Sequence, residues 1–265
     1  MARRTAVILV AGGSGTRCGG SMPKQFRLLR GRPVLARTID LFAAALRGAE
    51  IVVVLPARYI DFWHDFSARF DVAAHKVVAG GDERFYSVKN GLEALCSEPE
   101  LIAVHDAVRP FATPELIRRV ADAAAESGAA LPAVVPVDSF REVDPNRADT
   151  SDGESYRLDR NLLRIVQTPQ IFRAEWLAEA YRAPYDPRFT DDASVVEAAG
   201  HRIQLVEGER TNFKLTTSED FLIAEALLTV LEERDSEKHD GKASDRAGQP
   251  AATDCGAAPA TENAE

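Results

Sequence analysis

The sequence predicts an α/β fold in which helices cover a mostly parallel β-sheet. Short apolar runs bounded by turn residues alternate along the chain with longer segments whose apolar residues recur three and four positions apart. This alternation is typical of parallel sheets, because each strand is joined to the next through a helix. Two of the helical segments also have a proline near their start, where its missing N–H is harmless.

The elements follow in chain order. Five short apolar runs have the length and composition of buried strands: Thr5–Val10, Ile51–Pro56, Lys76–Gly80, Leu101–Asp106 and Ala130–Val137. Helical spacing of the apolar residues predicts helices within Pro33–Leu46 and Pro114–Ser127, and a last helix over Ser218–Arg234. We therefore expect one domain over residues 1–234.

Two segments depart from this pattern. Residues 138–164 are polar and rich in turn residues, with two short strand-like arms around "DPNRADTSDGES". They predict a β-hairpin that projects from the sheet, either mobile or embracing a second subunit. Residues 235–265 are small, polar and net acidic, without apolar periodicity, so we expect a disordered tail.

Charge and cysteine content limit the possible functions. The 265 residues carry a formal net charge of -9, which disfavours nucleic acid and anionic membranes as partners. Cys18, Cys96 and Cys255 lie far apart and form neither a disulfide framework nor a zinc ligand set. No apolar run approaches the roughly 20 residues that span a bilayer. We expect a soluble cytoplasmic protein.

A glycine-rich loop, "VAGGSGTRCGGSMPKQF", follows the first strand. Glycines at this place let backbone N–H groups approach a phosphate. A dinucleotide fingerprint is excluded because Cys18 stands at its third glycine, and a Walker A loop is excluded because Lys24 lies well past the glycines. Arg17 and Lys24 remain as two positive charges that can face a polyphosphate. The alternative is a surface turn with two solvated cations.

Six motifs in order resemble those of the 2-C-methyl-D-erythritol 4-phosphate cytidylyltransferase family: "AGGSGTRCGGSMPKQF", "AGGDERFYSVKNGL", "VHDAVRPF", "QTPQIF", "TDDASVVEAAG" and "NFKLTTSEDFLIAEALL". The resemblance runs from about Arg4 to Leu231. It implies a Rossmann-like fold of the nucleotide-diphospho-sugar transferase type, with helices on both faces and a β-arm that dimerises. It also implies a divalent cation, usually Mg²⁺, and transfer of CMP from CTP to the methylerythritol phosphate with release of pyrophosphate.

The resemblance implies nucleotide-side roles for ten residues. Arg17 and Lys24 would stabilise the charge that grows on the α-phosphate and on the departing pyrophosphate. Backbone N–H groups would reach the triphosphate from Ala11, Gly12, Gly13 and Gly15. Cytosine and ribose would be bound by Gly81, Asp82 and Ser87, with Arg84 steadying their loop. Without the resemblance, Ser87 could simply cap a helix.

Acceptor-side roles are implied in the same way. Asp106 would bind the metal ion and the acceptor, since a hard cation prefers carboxylate oxygen. The other acceptor residues would be Arg109, Ser139, Arg160, Thr168, Thr190 and Lys214, of which Arg160 and Lys214 would also be catalytic. In the family the arm residues Ser139 and Arg160 act on the neighbouring subunit's site. His105 is expected to be structural, as are the helix-capping acids Asp191, Asp192, Glu219 and Asp220.

Three alternatives stay open at this point. A ribitol 5-phosphate cytidylyltransferase shares nearly every CTP motif, and only acceptor-side residues such as Ser139, Arg160 and Thr168 distinguish it. A nucleotide-sensing protein that lost catalysis could keep the fold, but the intact Arg17 and Lys24 disfavour it. A NAD-dependent dehydrogenase is disfavoured by the missing third glycine.

Overall fold

The computed structural model describes residues 3–12, 22–143 and 155–247, of which 234–247 are described as backbone only. Seven helices lie in this part of the chain: α1 (Val34–Ala45), α2 (Ile60–Ser67), α3 (Arg84–Glu93), α4 (Pro114–Ser127), α5 (Ala174–Ala180), α6 (Asp192–Ala198) and α7 (Ser218–Ala247). None of these described helices is long and apolar enough to cross a membrane.

A mixed, mostly parallel sheet forms the centre of the fold. Its main path runs β10 (Ile165–Val166), β7 (Ala129–Val134), β11 (Gln170–Arg173), β6 (Leu101–Asp106), β1 (Thr5–Val10), β4 (Glu50–Leu55) and β5 (Lys76–Ala79), and β12 (Gln204–Glu207) also pairs with β7. The β1 strand lies parallel to both β4 and β6, whereas β11 is antiparallel to β6 and β7. All five predicted strands are confirmed, and β10, β11 and β12 were not predicted.

Helices cover both faces of this sheet, as predicted. Alternate residues of β1 point to opposite faces: Val7 and Leu9 pack in one apolar cluster with residues of α1, α2 and α4, and Ala6 and Ile8 pack in the other with residues of α3, α5 and α6. Both faces of β1 are therefore buried, which explains its continuous apolar run.

The ends of α4 show how local chemistry sets a helix boundary. Thr113 precedes the helix and its side chain accepts a hydrogen bond from the N–H of Leu116, while Pro114 occupies the first helical position. Gly128 ends the helix in the left-handed region with φ of 94°, and a Cβ there would also overlap the Trp176 ring. Another residue at position 128 would therefore be both strained and crowded.

The predicted arm is present as two antiparallel strands, β8 (Arg141–Val143) and β9 (Ser155–Arg157), in a separate small sheet. A second small sheet joins β2 (Leu28–Leu29) to β3 (Arg32–Pro33). The turn of the arm, residues 144–154, lies outside the described residues. The strands leave the main sheet after β7 and the chain returns to it at β10.

The C-terminal prediction needs a correction. Disorder was expected from Asp235, but α7 continues to Ala247. Residues 235–247 include Glu, Lys, Ala and Arg, which favour helix, and extending an existing helix requires no new nucleation. Residues 248–265 lie outside the described residues. Contacts divide the chain into one compact unit that ends at Phe221 and another that begins at Leu222, and the predicted domain boundary at 234 stays a prediction.

Candidate active site

The carboxyl ends of three parallel strands, β1, β5 and β6, lie at one edge of the sheet, where ligands of α/β proteins bind. Ala11 and Gly12 follow β1, Gly81 follows β5 by two residues, and Asp106 ends β6. A pocket of about 300 Å³ opens there. Its lining comprises Val10, Ala11, Gly12, Lys24, Gln25, Gly81, Asp82, Glu83, Arg84, Ser87, Asp106, Val108 and Lys214. The structure thus brings together eight of the predicted site residues.

A larger cavity of about 800 Å³ lies at the opposite edge, around Thr5, Glu50 and Leu101 at the amino ends of their strands. None of the predicted site residues that the structure describes lines this cavity. The smaller pocket is therefore the better candidate for the active site, because chemistry and strand geometry agree there.

Three cations surround the carboxylate of Asp106. Lys214 Nζ lies 3.0 Å from Oδ2, Arg109 Nε lies 3.3 Å from the same oxygen, and Arg84 Nε lies 4.0 Å from Oδ1. Burial would raise the pKa of the Asp106 carboxyl, but Lys214, Arg84 and Arg109 together hold that pKa well below its usual range. Asp106 is therefore ionised at neutral pH, and the positive charges around it exceed its single negative charge.

The nucleotide-side loop is held close to α3. The N–H of Gly81 donates to Ser87 Oγ at 3.2 Å, and a Cβ on Gly81 would overlap the side chain of Tyr86. Ser87 is the fourth residue of α3, whose N-cap is Glu83, so the capping alternative for Ser87 is wrong. The hydroxyl of Ser87 instead fixes the loop and faces the pocket.

Ala11 lines the pocket but cannot donate its N–H to a phosphate. That N–H donates to the carbonyl of Val54 at 2.9 Å, because the pairing of β1 with β4 continues one residue past the strand. The carbonyl of Ala11 accepts from Gln25 Nε2 at 3.0 Å. The predicted N–H role of Ala11 is therefore wrong. Gly12 is exposed, and Gly13, Gly15 and Arg17 lie outside the described residues, as does Cys18.

Thr168 and His105 lie behind Asp106 in a buried chain of hydrogen bonds. The N–H of Asp106 donates to Thr168 Oγ1 at 3.1 Å, and Thr168 Oγ1 lies 3.0 Å from His105 Nδ1. His105 Nε2 lies 3.0 Å from the carbonyl of Arg109, which can only accept. Nε2 therefore carries the proton, and the Thr168 hydroxyl donates to Nδ1. This supports a structural role for His105. The hydroxyl proton of Thr168 is already engaged in the hydrogen bond to His105.

This chain of hydrogen bonds predicts a pH effect on stability. Burial is the main cause that lowers the pKa of His105 from 6.5 to about 4. The unfolded state then binds more protons between these values, so the free energy of unfolding rises with pH through this window and is flat above it for this group. Across this window the free energy of unfolding changes by on the order of 3 kcal/mol. Urea unfolding of the metal-free wild type and of His105→Asn measures this effect. Below pH 6.5 the free energy of unfolding should fall more steeply in the wild type, and an equal pH dependence would contradict the lowered pKa of His105.

The acceptor-side residues fall into two groups. Arg109 lies beside Asp106 and also donates from Nη1 to the carbonyl of Asn212 at 2.9 Å. Ser139, Arg160 and Thr190 are exposed and do not line the pocket. Arg160 donates to the carbonyl of Val137 at 2.7 Å, within the base of the arm. These three residues complete the predicted acceptor site only if another surface approaches the pocket or if a ligand extends beyond it.

Two features of the site were missed from the sequence. Gln25 positions the end of β1 and lines the pocket, and nothing in its spacing marked it. Asp192 was expected only to support its helix, but its carboxylate accepts two hydrogen bonds from Arg84. The available signal for this pair was an acidic residue, Asp192, at the start of a helix and an arginine, Arg84, within the motif of the nucleotide loop.

Comparisons with known proteins agree on one family. The profile of IspD, 2-C-methyl-D-erythritol 4-phosphate cytidylyltransferase, matches residues 5–230. The protein of that name from Bacteroides thetaiotaomicron is 44% identical over 231 residues, 85% of this chain and 100% of its own length. A 4-diphosphocytidyl-2C-methyl-D-erythritol synthase structure from Anaerococcus prevotii shares 28% identity with a TM-score of 0.71, covering 86% of this chain and 100% of its own. The structure of the cytidylyltransferase from Thermus thermophilus shares 33% identity with a TM-score of 0.65, covering 84% and 98%.

Proposed function

Because the chain belongs to the 2-C-methyl-D-erythritol 4-phosphate cytidylyltransferase (IspD) family, we propose that its reaction takes place in the pocket around Asp106. The enzyme transfers CMP from CTP to 2-C-methyl-D-erythritol 4-phosphate and releases pyrophosphate, a step of the non-mevalonate isoprenoid pathway. The ribitol 5-phosphate alternative is not favoured, since the relatives are named for the methylerythritol acceptor. The observation that carries the placement is the convergence of Lys24, Arg84 and Lys214 in one pocket.

The chemistry requires charge neutralisation more than proton transfer. The second pKa of a phosphate monoester is about 6, so the acceptor is already largely dianionic at neutral pH. One of its oxygens attacks the α-phosphorus of CTP, the bond from that phosphorus to the bridging oxygen breaks, and pyrophosphate leaves. Two polyanions must meet, so we propose that Lys24 and Lys214 stabilise the developing charge. The resemblance to the family implies the same role for Arg17, which lies outside the described residues. No general base is needed, which agrees with the buried, neutral His105.

CTP is best accommodated with its base beside α3 and its triphosphate beside Lys24. The loop from Gly81 to Ser87 is held rigidly against the helix, so its polar groups can bind the edge of a pyrimidine without rearrangement. Gly12 lines the same pocket, and a Cβ at position 12 would have Ser87 Oγ as its nearest neighbour at 3.6 Å. The close approach of backbone groups suits a triphosphate at this place.

A divalent cation such as Mg²⁺ fits the site through Asp106. The described residues contain no group of three or more possible metal-ligating side chains. A single carboxylate is nevertheless sufficient for Mg²⁺, which is often held by one or two carboxylates plus substrate phosphates and water. Asp106 is the residue that would hold the ion, and its Oδ2 is already bonded to Lys214 and Arg109. The ion would add positive charge next to the phosphates of CTP.

The arm supports a homodimer. The arm and the residues next to it expose apolar side chains to solvent, among them Val137, Val143, Tyr156, Leu162 and Ile165. Exposed apolar groups gathered on a projecting element favour burial against a partner. We propose that the arm of one subunit brings Ser139 and Arg160 to the acceptor site of the other. We also place the domain over residues 1–234 and the enzyme in the cytoplasm, where the dispersed cysteines stay reduced.

Release of pyrophosphate tests the proposed function. The purified chain with CTP and Mg²⁺ is expected to release pyrophosphate when methylerythritol phosphate is added, and much more slowly with ribitol 5-phosphate at the same concentration. Faster release with ribitol 5-phosphate would show that ribitol 5-phosphate is the preferred acceptor. No release with either compound would refute the enzyme activity.

Arg160→Ala tests the arm. If Arg160 acts on the acceptor in the neighbouring site, its loss should raise the KM for methylerythritol phosphate about tenfold or more, with a much smaller effect on the KM for CTP. Arg164→Ala is a matched control, because Arg164 donates to the backbone carbonyls of Asn161 and Leu163 in the same arm. An unchanged acceptor KM in Arg160→Ala would argue against the arm entering the site.

A further inference from the structure

Partly exposed Arg84 and the buried residues Asp192 and Tyr181 form a cluster beside the pocket, here called the latch. Arg84 Nη1 and Nη2 donate to the two carboxylate oxygens of Asp192 at 2.8 and 2.6 Å. The hydroxyl of Tyr181 donates to Asp192 Oδ1 at 2.7 Å. Bidentate pairing of this kind fixes the orientation of both partners.

The latch is energetically favourable only when all of its partners are present. Asp192 is fully buried and Tyr181 is almost so, and a buried carboxylate without its partner is strongly unfavourable. Burial and the charge of Asp192 both raise the pKa of Tyr181, so its hydroxyl stays protonated and keeps donating. Burial alone would lower the pKa of Arg84, but Asp192 raises it above the ordinary value. Tyr181 and Arg84 therefore both keep donating to Asp192 across the physiological pH range.

The latch joins two motifs that are far apart in sequence. Arg84 is the first residue of α3, on the nucleotide side of the pocket. Asp192 is the first residue of α6, directly after Thr190 and Asp191. The start of α6 is held on its other side by Gln170, which donates to Asp191 Oδ2 at 2.7 Å. The position of Thr190 relative to the nucleotide loop therefore depends on the latch.

The nucleotide loop has restraints of its own. Ser87 binds the backbone of Gly81, and Asn90 Nδ2 donates to the carbonyl of Ala79 at 3.0 Å. These contacts would persist if the latch were broken. Breaking it should therefore disturb the α6 side of the site more than the loop that faces cytosine.

Asp192 also limits the interaction between Arg84 and Asp106. With Asp192 in place, Arg84 Nε stays 4.0 Å from Asp106 Oδ1, while Lys214 and Arg109 hold the other oxygen. Without the charge of Asp192, Asp106 would be the remaining carboxylate near Arg84. The guanidinium would then compete with Lys214 and Arg109 for Asp106.

We propose that Arg84, Asp192 and Tyr181 are positioning residues that set the acceptor side of the site against the nucleotide side. The proposal rests on the proposed function, because it assigns the latch to the methylerythritol phosphate half of the reaction. The latch acts through Thr190 and Asp106, and Asp192 and Tyr181 do not line the pocket themselves.

Steady-state kinetics of Asp192→Asn test the latch. This variant keeps the shape of the side chain and removes its charge. The KM for methylerythritol phosphate is expected to rise about tenfold, within the usual range of coupling between sites, while the KM for CTP changes less than twofold. Tyr181→Phe removes one hydrogen bond and should shift the acceptor KM in the same direction by a smaller factor. If Asp192→Asn does not fold, Tyr181→Phe still tests the latch.

Asp40→Asn is the matched control. Asp40 also pairs with an arginine, Arg32, and accepts the N–H of Ala73 at 3.0 Å, but none of these residues lines the pocket. It should lower the melting temperature without changing either KM. A purely structural latch would behave in the same way, lowering the melting temperature of Asp192→Asn and Tyr181→Phe with both KM values unchanged, and that result would overturn the proposal. A wild-type chain that releases no pyrophosphate would instead refute the proposed function.

Discussion

Replacement of Lys24 by alanine is expected to lower kcat by roughly two to three orders of magnitude, the usual cost of removing one preorganised group that stabilises transition-state charge. Lys24 lines the pocket and is only 9% exposed. It lies in a short 3-10 turn with Gln25, which bonds to Ala11, and Phe26, which is fully buried. Its backbone is therefore held firmly beside the place that we propose for the triphosphate.

Binding of CTP should change much less than turnover in Lys24→Ala. The other cations of the pocket still attract the triphosphate, whereas the charge that develops on the leaving group loses its nearest partner. Calorimetric titration of CTP and single-turnover kinetics measure the two effects separately. Lys76→Ala is the control, because Lys76 is exposed and donates to the carbonyl of Ala94 away from the pocket. A wild-type kcat in Lys24→Ala would contradict the role of this lysine.

Asp106→Asn should cause a comparable loss. The carboxylate fixes Lys214 and Arg109 at 3.0 and 3.3 Å, and an amide would leave both cations without their counter-charge. We expect kcat/KM for the acceptor to fall at least about a hundredfold, since the orientation of the two cations is lost. The affinity for CTP should stay equal or increase, because the pocket becomes more positive towards a polyanion.

The two binding constants distinguish this account from a general loss of structure. Calorimetry of Asp106→Asn with CTP, without acceptor, should give a dissociation constant no weaker than that of the wild type. Weaker CTP binding together with a lower melting temperature would show instead that Asp106 mainly holds the fold. Asp40→Asn again provides the reference for removal of a paired carboxylate elsewhere.

The sequence predicts the central elements of the fold because their signals are local. The β1 and β6 strands are continuous apolar runs, and α4 has a proline at its start and a glycine at its end. The antiparallel β11 strand has only four residues, and its direction depends on pairing with β6 and β7. Such non-local pairing has no local signature, so this strand could not be predicted.

The site was predictable to a similar extent. Strand ends alone bring Gly81 and Asp106 to one edge of the sheet, as the structure shows. The contact of Lys214 with Asp106 spans more than 100 residues, and only the resemblance to the family suggested that both belong to one site. The hydrogen bond from Ala11 to Val54 and the pair of Arg84 with Asp192 depend on tertiary packing. No spacing along the chain reveals them.

A crystal structure of the protein with CTP and Mg²⁺ tests the proposed position of the nucleotide. We expect the triphosphate against Gly12 and Lys24, the α-phosphorus on the side of Lys214 and Asp106, and the cytosine beside Gly81 and Ser87. A nucleotide bound at the other edge of the sheet, or one whose triphosphate points away from Lys24, would contradict it.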